Sequence, residues 1–401
     1  MGYVAHSWEC CWFDVPIERM AVKVLNVCSN FDSVTGGGEA ERTFQMTGSL
    51  RSSGVDAHVL TIDAALSEHR KTAFGPGIVI ALPCLFRRFY VPKVSLRYLS
   101  ELVEKFDVVH LIGHWTVLNA LVCLAALRAN KPYVICPAGT LSIFGRSKTL
   151  KRIYNFLVGE SIIKNASACI AVTQEEKTYF IATGVSAERI CVIPNGIDPQ
   201  DFLLFNLSEF RKNYGLSERK FILFLGRLNI IKGPDLLLDA FCRLKDRFCD
   251  FDLVFVGPDG GMLESLKANS RRQGAEKRVH FIGYLGGAEK SSAYRAAELL
   301  VIPSRHEAMS IVALEAGICS TPVLLTDQCG FNQLFQMDGG WIAPASAKGL
   351  EQALGDILSN PDARRRAGRN IKSYVAGNFS WSVIVESYKI LYARLLSVEQ
   401  K

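Results

Sequence analysis

The chain has 401 residues, of which 49% are hydrophobic and 21% are charged, and its formal net charge is +7. This composition is typical of a globular protein and excludes a disordered chain, and the length favours two domains of ordinary size. The charge divides evenly between the two halves, so we expect no nucleic-acid partner. The longest apolar run, around residues 115–127, is shorter than the ~20 residues that a membrane-spanning helix needs.

Residues 1–20 are predicted to be a loose extension. They lack a basic start, and Glu9, Asp14 and Glu18 interrupt their apolar stretch, so they do not form a signal peptide. A strand-like pattern begins just after Met20, which is a candidate for the natural start. We therefore expect a cytoplasmic location, with peripheral attachment to the inner face of the membrane as a further possibility.

Short runs rich in Val, Ile and Leu alternate with stretches of helix length, which predicts an α/β fold with parallel sheets covered on both faces. The pattern pauses at PNGIDPQDF (194–202) and then restarts. We predict two doubly wound domains, 21–198 and 199–375, with a C-terminal helix in 376–401 packing back on the first. The predicted strands are KVLNVCS, HVLTID, VVHLIG, YVICPA, ACIAVT, ICVIPN, FILFLGR, LVFVGP, VHFIGY, LLVIPS and PVLLTD.

A glycine cluster, TGGGEAERTF (35–44), follows the first predicted strand and opens a helix. Glycines at a helix N-terminus let the backbone approach an anion, so Gly37 and Gly38 are candidate ligand-binding residues. The spacing fits a dinucleotide-binding loop poorly, because Glu41 occupies its third glycine position, and no GK[ST] follows. A plain tight turn is the alternative.

Two basic clusters lie in the first half, RRFYVPKVSLR (87–97) and GRSKTLKR (145–152). They suit anionic lipid headgroups or a phosphate-bearing acceptor, or they are simply solvated basic faces. The twelve cysteines include no C-x-x-C pair, and most lie in apolar segments. We expect them to be scattered buried thiols rather than disulfides or metal ligands.

The segment FLGRLNIIKGPDLLLDAF (224–241) places two cations after a strand that ends at Gly226. Arg227 and Lys232 flank a short loop, and Pro234 stands where a helix would start. Ligands of parallel sheets bind beyond the carboxyl ends of the strands, and Arg and Lys there are suited to a diphosphate. Two ordinary surface cations are the alternative.

Two glutamates, Glu307 and Glu315, surround the apolar run in SRHEAMSIVALEAG. Glu307 is predicted to lie in the loop RHEAM (305–309) and Glu315 inside the helix SIVALEAGIC (310–319). At the helical rise, eight positions separate the carboxyls by roughly 12 Å, which is too far for a glycosidase pair unless the chain bends sharply. We interpret them as residues that bind two different parts of an elongated ligand. Glu315 would bind ribose hydroxyls, and Glu307 a group beyond the phosphates. The backbone N–H groups of the helix start would hold phosphate between them, and these belong to Ala308, Met309 and Ser310.

Taken in order, these motifs resemble glycosyltransferase family 4. GRLNIIKG followed by PSRHEAMSIVALEAG matches its pattern of G-R-x-x-x-x-K-G and two spaced glutamates, and VFVGPDG, VIPNGID and FSW (379–381) lie where that family carries them. The resemblance covers nearly everything after residue 20. It implies a GT-B fold, two Rossmann-like domains facing across a cleft, and retaining transfer from a nucleotide-diphosphate-sugar donor.

The resemblance also implies roles for individual residues. Arg227 and Lys232 would hold the diphosphate and stabilise it as leaving group, Glu315 would bind ribose, and Glu307 the donor sugar. The glycines at 37–38 would face the phosphates, and further donor-binding candidates are Gly226, Gly257 of VFVGPDG and Tyr284 of the GYLGG loop.

The chain departs from the family pattern at two positions. Ala308 replaces the usual glycine after the first glutamate, and Ala138 in CPAGT stands where related enzymes carry His or Arg. The missing contact could come from His114, a candidate catalytic residue, or less readily from His110, although a histidine in an apolar strand is more often a core group.

No metal or other cofactor is expected. Asp250 and Asp252 match an Asp-x-Asp pattern, but they precede their predicted strand at its amino end, away from the ligand-binding edge. The cations and the helix N-terminus would supply the positive field instead.

The function predicted from the sequence is a retaining glycosyltransferase, a hexosyltransferase by type. It would move a sugar from a nucleotide-diphosphate-sugar to a glycan or lipid-linked acceptor in bacterial cell-surface polysaccharide or lipopolysaccharide synthesis. The alternatives are a same-fold sugar-nucleotide epimerase, a sugar-phosphate synthase, or a non-catalytic nucleotide-sugar-binding protein.

Overall fold

The computed structural model describes residues 22–64, 66–143, 147–216 and 219–398. They form two compact units. The first runs up to Gly196 and takes in the chain again from Trp381, and the second is Ile197–Ser380. The predicted extension at residues 1–20 lies outside the described residues. In the described part, every helix is too short or too polar to cross a membrane.

The first unit contains an eight-stranded sheet with the order β4-β3-β2-β1-β5-β6-β7-β8, parallel except for β4. Its strands are β1 (Lys23–Val27), β2 (Asp56–Asp63), β3 (Val79–Phe86), β4 (Val91–Pro92), β5 (Val108–Ile112), β6 (Tyr133–Cys136), β7 (Ala168–Ala171) and β8 (Ile190–Val192). The strands from β5 to β8 are short, fully buried apolar runs, as expected for a sheet covered on both faces, whereas β3 near the edge is partly exposed.

The helices of this unit connect successive strands, and a long C-terminal helix joins them. They are α1 (Gly37–Ser52), α2 (Glu68–Thr72), α3 (Leu96–Val103), α4 (Val117–Arg128), α5 (Lys148–Tyr154), α6 (Glu160–Lys164), α7 (Gln174–Ala182) and α16 (Trp381–Val398). Short 3-10 helices occupy Arg87–Phe89 and Ala187–Arg189, and a π-helical turn, Asn155–Gly159, joins α5 to α6.

Helix α16 is held against α1 by a buried polar contact. The Arg42 guanidinium donates to the Tyr388 hydroxyl at 2.5 Å and also to the Asn195 side chain. Arg42 is only 1% exposed, and a buried guanidinium needs such partners because leaving it unpaired is costly. The Trp381 indole N–H, at the start of α16, donates to Gln45 of α1 at 2.7 Å.

The second unit contains a six-stranded parallel sheet with the order β11-β10-β9-β12-β13-β14. Its strands are β9 (Lys220–Leu225), β10 (Phe251–Val256), β11 (Val279–Gly283), β12 (Leu299–Ile302), β13 (Val323–Thr326) and β14 (Gly340–Ala343). Phe224, Phe255 and Phe281 lie side by side across β9, β10 and β11, with neighbouring ring centroids 5.3 and 5.1 Å apart. These contacts fix the register of the three strands.

Helices follow the strands of the second unit in βαβ succession, and they cover both faces of its sheet. They are α8 (Leu207–Asn213), α9 (Pro234–Leu244), α10 (Leu263–Arg272), α11 (Gly287–Ala296), α12 (Ile311–Ile318), α13 (Gln333–Gln336), α14 (Ala347–Leu358) and α15 (Pro361–Asn378), with 3-10 helices at Pro199–Phe202 and Glu276–Arg278.

The predicted fold class is confirmed, since both units are doubly wound α/β layers built on the predicted strands. Three strands were not predicted. Pro83 interrupts the apolar run of β3, β4 has only two residues, and β14 starts at Gly340 with three apolar residues after it. A proline within a run argues against a strand, and two or three apolar residues are too few to predict one.

The loop after β9 lies directly against the end of β12, and Gly233 makes this approach possible. Gly233 has a φ of +67°, and a Cβ placed on it would lie 2.0 Å from the carbonyl oxygen of Pro303. Since real Cβ atoms do not come so close to an oxygen, a larger residue would push the loop away from β12.

We expect Gly233→Ala to lower the free energy of unfolding by about 3 kcal/mol, the sum of left-handed strain and overpacking. Gly215→Ala is a matched control, because Gly215 has the same φ of +67° but open space around the added Cβ. It should cost about 1 kcal/mol from strain alone. Urea unfolding of both variants measures the difference, and equal losses would contradict the proposed contact.

Candidate functional site

The sheet of the second unit changes its direction of progression between β9 and β12. From β9 the chain adds β10 and β11 on one side, and from β12 it adds β13 and β14 on the other. In open parallel sheets, the crevice for a ligand lies outside the carboxyl ends of the strands at such a switch point. The residues that follow β9 and β12 are therefore the first candidates for a site.

At this switch point, the structure brings together two predicted site residues that are far apart in sequence. Lys232 Nζ, from the loop after β9, lies 2.5 Å from Glu307 Oε2, from the loop after β12. The Ser304 hydroxyl donates to the same carboxylate oxygen at 3.1 Å. The Lys232 and Glu307 side chains are 34% and 14% exposed, so both groups remain accessible to a ligand.

The backbone holds both of these residues in place. The Lys232 amide donates to the Asn229 side chain at 3.0 Å. The Glu307 amide donates to the carbonyl of Gln328 at 3.0 Å, and the Gly330 amide donates to the Glu307 carbonyl at 3.1 Å. Glu307 is thus paired, strand-like, with the loop after β13.

Arg305 is a contact residue that the sequence analysis missed. Its guanidinium makes two hydrogen bonds to the Asp235 carboxylate, at 2.8 and 2.6 Å, and donates to the Ile230 carbonyl at 2.7 Å. Its own amide donates to the Ile231 carbonyl at 2.7 Å. Arg305 therefore ties the loop that carries Lys232 to the loop that carries Glu307. Its position two residues before Glu307 was the feature of the sequence that could have indicated this role.

Arg227 lies on the same edge of the sheet and is exposed. The stem of its side chain runs against Gly260, where an added Cβ would lie 2.9 Å from Arg227 Cγ. The predicted residues Gly226 and Gly257 have a packing role here, since a Cβ on Gly257 would lie 2.0 Å from the Gly226 carbonyl oxygen. Tyr284 follows β11 on this edge, half exposed.

Glu315 lies inside α12 and is 3% exposed. Lys290 Nζ donates to one of its carboxylate oxygens at 2.8 Å, and the Tyr294 hydroxyl donates to the other at 2.6 Å. Burial, together with the neighbouring carboxylate, raises the pKa of Tyr294 well above its ordinary value, so the phenol stays a donor. Among the described residues, Glu307 and Glu315 have different hydrogen-bond partners and share none.

The predicted helix start at Ser310 is confirmed to within one residue, since α12 begins at Ile311 with Ser310 as its N-cap. Ala308 and Met309 lie in the loop before the helix, as predicted. The estimate of roughly 12 Å between the two glutamates applied the helical rise to residues 307–310 as well, and these are not helical. The free N–H groups of the first turn belong to Ile311 and Val312 rather than to Ala308 and Met309.

Asp252 forms contacts with protein side chains that account for its position without metal binding. It lies within β10, whereas it was predicted to precede the strand, and only Asp250 does so. The Arg219 side chain donates to Asp252 at 2.6 Å, and His280 lies 3.0 Å from it. Among the described residues, no group of three or more His, Cys, Asp or Glu side chains is arranged to hold a metal ion. The described cysteines are free thiols, most of them buried.

In the first unit, the corresponding switch point lies between β1 and β5. The predicted glycine loop does open a helix, since α1 begins at Gly37, which has a φ of +63°, and Gly38 follows it, exposed. Glu39, in the first turn of α1, was not among the predicted site residues. A Cβ on Gly113, just after β5, would lie 1.8 Å from the Glu39 Oε1 atom, so this carboxyl packs directly onto Gly113.

The Glu39 carboxyl has unusual surroundings. Its loss of solvent raises its pKa to about 7. No donor among the described residues forms a hydrogen bond or ion pair with it. By contrast Glu41, one half-turn later, pairs with Arg70 at 2.6 Å. A carboxyl that is desolvated and lacks a donor has capacity for a ligand.

His114 follows Gly113 and is 1% exposed. Its Nε2 atom lies 3.0 Å from Asn155 Oδ1, and burial lowers its pKa to about 4, so the ring is neutral at pH 7. Its Nδ1 atom has no hydrogen-bond partner among the residues that the structure describes. His110 lies within β5 and contacts Tyr392 at 3.0 Å, which agrees with the interpretation of His110 as a core group.

Known protein families match both units. Residues 36–201 match the model described as Glycosyltransferase Family 4, and residues 207–374 match the model described as Glycosyl transferases group 1. The aligned segments span 54–60% of the length of the first curated relatives.

Individual relatives agree with the family models. An uncharacterized glycosyltransferase of Methanocaldococcus jannaschii is 32% identical over 51% of this chain and 54% of the relative. D-inositol 3-phosphate glycosyltransferase of Kribbella flavida is 27% identical over 94% of this chain and 96% of its own length. The crystal structure of Anabaena HepE with UDP and glucose superposes with a TM-score of 0.77 at 20% identity, covering 94% of this chain and 100% of that one.

The similarity to HepE indicates a shared fold, and a separate family model matches each of the two units. The chain therefore has a Glycosyltransferase Family 4 unit followed by a Glycosyl transferases group 1 unit, and it shares its fold with HepE.

Proposed function

We propose that the protein transfers a sugar from a nucleotide-diphosphate-sugar to a hydroxyl acceptor, with retention of anomeric configuration and without a metal ion. The observation that carries this proposal is the 2.5 Å contact between Lys232 and Glu307 at the switch point of the second unit. A cation for a leaving group and a carboxylate for a sugar hydroxyl are adjacent there, on the edge of the sheet where ligands bind.

Lys232 and Arg227 would bind the diphosphate. Lys232 has three N–H donors, and one of them donates to Glu307. The other two can donate to phosphate oxygens. When the bond from the anomeric carbon to the diphosphate breaks, the two cations stabilise the negative charge that develops on the leaving oxygen. The carboxylate of Glu307, fixed by Lys232 and Ser304, would accept hydrogen bonds from hydroxyls of the donor sugar.

Glu315 would bind ribose. Lys290 and Tyr294 hold its two oxygens by one hydrogen bond each, and each carboxylate oxygen can accept a second. The two partners fix the orientation of the carboxylate before the nucleotide arrives, which lowers the entropic cost of binding.

The acceptor proposed is a glycan or a lipid-linked glycan of cell-surface polysaccharide synthesis. A phosphate-bearing polyol is a second candidate, because several curated relatives are named D-inositol 3-phosphate glycosyltransferases. Within the first unit, Glu39 would accept a hydrogen bond from an acceptor hydroxyl, since its carboxyl lies at the switch point and has no donor in the described part of the chain.

We expect one of UDP, GDP, ADP or dTDP to raise the melting temperature, equally in magnesium and in EDTA. Lys232→Gln should weaken this binding about 30- to 100-fold, because it removes a charge-assisted hydrogen bond to phosphate worth about 2–3 kcal/mol. Lys220→Gln is the control, since Lys220 lies at the amino end of the same strand, β9, and pairs with Asp250. Similar losses in the two variants, or no stabilisation by any nucleotide, would refute the assigned donor site.

The Glu39 proposal predicts a stability gain on mutation. An acid whose pKa is raised by folding destabilises the folded state as pH rises through the range from its ordinary value to about 7. Glu39→Gln should therefore unfold like the wild type at pH 4 and be more stable by about 1–3 kcal/mol at pH 8.

The control for Glu39 is Glu41→Gln, which removes the same charge from the same helix but breaks the contact with Arg70. It should lower stability at pH 8. Urea unfolding at the two pH values measures both variants. A loss of stability in Glu39→Gln would indicate a structural role for Glu39 and count against acceptor binding.

A further inference from the structure

An exposed apolar face runs along α5 and the π-helical turn that continues it. Leu150 and Ile153 are each 50% exposed, Leu157 is 67% exposed and Phe156 86%. Their spacing of three or four residues places Leu150, Ile153 and Leu157 on one side of the helical segment. So much contiguous apolar surface on a helix indicates a partner. We call this set of four residues the outer face.

The opposite side of the same segment packs against the first unit. The Tyr154 hydroxyl donates to the Thr116 carbonyl at 3.0 Å, and Asn155 contacts His114. The Trp115 indole N–H, in turn, donates to the Thr140 carbonyl. The segment therefore packs on the loop that follows β5. The outer face is exposed even though the opposite side of the helix is packed against the unit.

Cations accompany the outer face. Lys148 and Arg152 lie on α5, both exposed, and no ion pair with either is formed within the described residues. The predicted basic cluster 145–152 thus combines charge with apolar side chains, although residues 145–146 lie outside the described residues. Apolar residues that insert among acyl chains and cations that reach headgroups are the two components of an interfacial helix.

The second basic cluster has the same composition. Leu85, Phe86 and Phe89 are 66%, 50% and 47% exposed, and they surround Arg87 and Arg88, which are also exposed. This cluster follows the carboxyl end of β3, and the outer face is seated beyond the carboxyl end of β5. Strands β3, β2, β1 and β5 are mutually parallel, so the two clusters emerge from the same edge of one sheet.

We propose that this edge of the first unit docks on an anionic lipid bilayer, with Phe156 and Leu157 as the principal inserted side chains. A protein partner would suit the apolar residues alone. The cations beside both apolar groups form no ion pair among the described residues, which favours a surface that is anionic and apolar at once. The inference deepens the proposed function by naming the surface that would present a lipid-linked acceptor, but docking itself can be measured without any acceptor.

The test is co-sedimentation of the full chain with vesicles. We expect binding to phosphatidylcholine vesicles containing about 30% phosphatidylglycerol at about 0.15 M salt, and little binding to pure phosphatidylcholine. The double variant Phe156→Ser/Leu157→Ser should bind at least about tenfold more weakly, because two apolar side chains no longer insert. Lys148→Gln/Arg152→Gln should weaken binding and flatten its salt dependence.

The matched control is Leu203→Ser/Leu204→Ser, which removes two apolar side chains that are 59% and 75% exposed in the second unit. It should bind vesicles like the wild type. The proposal is overturned if the wild type ignores anionic vesicles, if the Phe156/Leu157 variant still binds them fully, or if the outer face instead mediates a dimer in sedimentation velocity. Nucleotide-induced stabilisation, measured on the same proteins, reports on the donor site separately, so a failure of docking is distinguishable from a failure of the proposed function.

Discussion

The arrangement of the second unit depends on the close approach of two loops at the carboxyl ends of β9 and β12. Gly233 lies so near the Pro303 carbonyl that no Cβ fits between them, and Arg305 binds the loop after β9 from the other side. Only because these backbones touch can Lys232 reach Glu307 at 2.5 Å. The glycine after Lys232 is thus a steric requirement for the pair. This contact gives the physical reason for the last glycine of the motif G-R-x-x-x-x-K-G in this chain.

The two units differ in how the carboxylates at their switch points are held. Glu307 and Glu315 are each held by a lysine and a hydroxyl, so their charge is compensated within the protein. Glu39 has no such partner in the described residues, and its raised pKa reports the cost of that arrangement. A protein that keeps an uncompensated carboxyl at a sheet's switch point gives up stability there, which is a common property of ligand-binding positions.

The sequence predicted most of the strands, because buried parallel strands are continuous apolar runs. It also singled out Arg227, Lys232, Glu307 and Glu315 as one constellation. It could not predict that Lys232 meets Glu307, 75 positions away, since that contact depends on β9 and β12 being neighbours in the sheet. Lys290 and Tyr294 were missed for the same reason, because they reach Glu315 from another helix, and Glu39 was hidden in a glycine motif whose carboxyl contact with Gly113 is purely tertiary. The start of α12 was predicted to within one residue, because the loop RHEAM and the apolar run after Ser310 mark it in the sequence.

The most direct test of the account is a crystal structure of the protein with the nucleoside diphosphate that stabilises it most. The account predicts diphosphate oxygens within about 2.7–3.2 Å of the Arg227 and Lys232 side-chain nitrogens, and ribose hydroxyls within the same distance of Glu315. A nucleotide bound elsewhere, with Lys232 still engaged only with Glu307 and no phosphate at the switch point of the second unit, would contradict it.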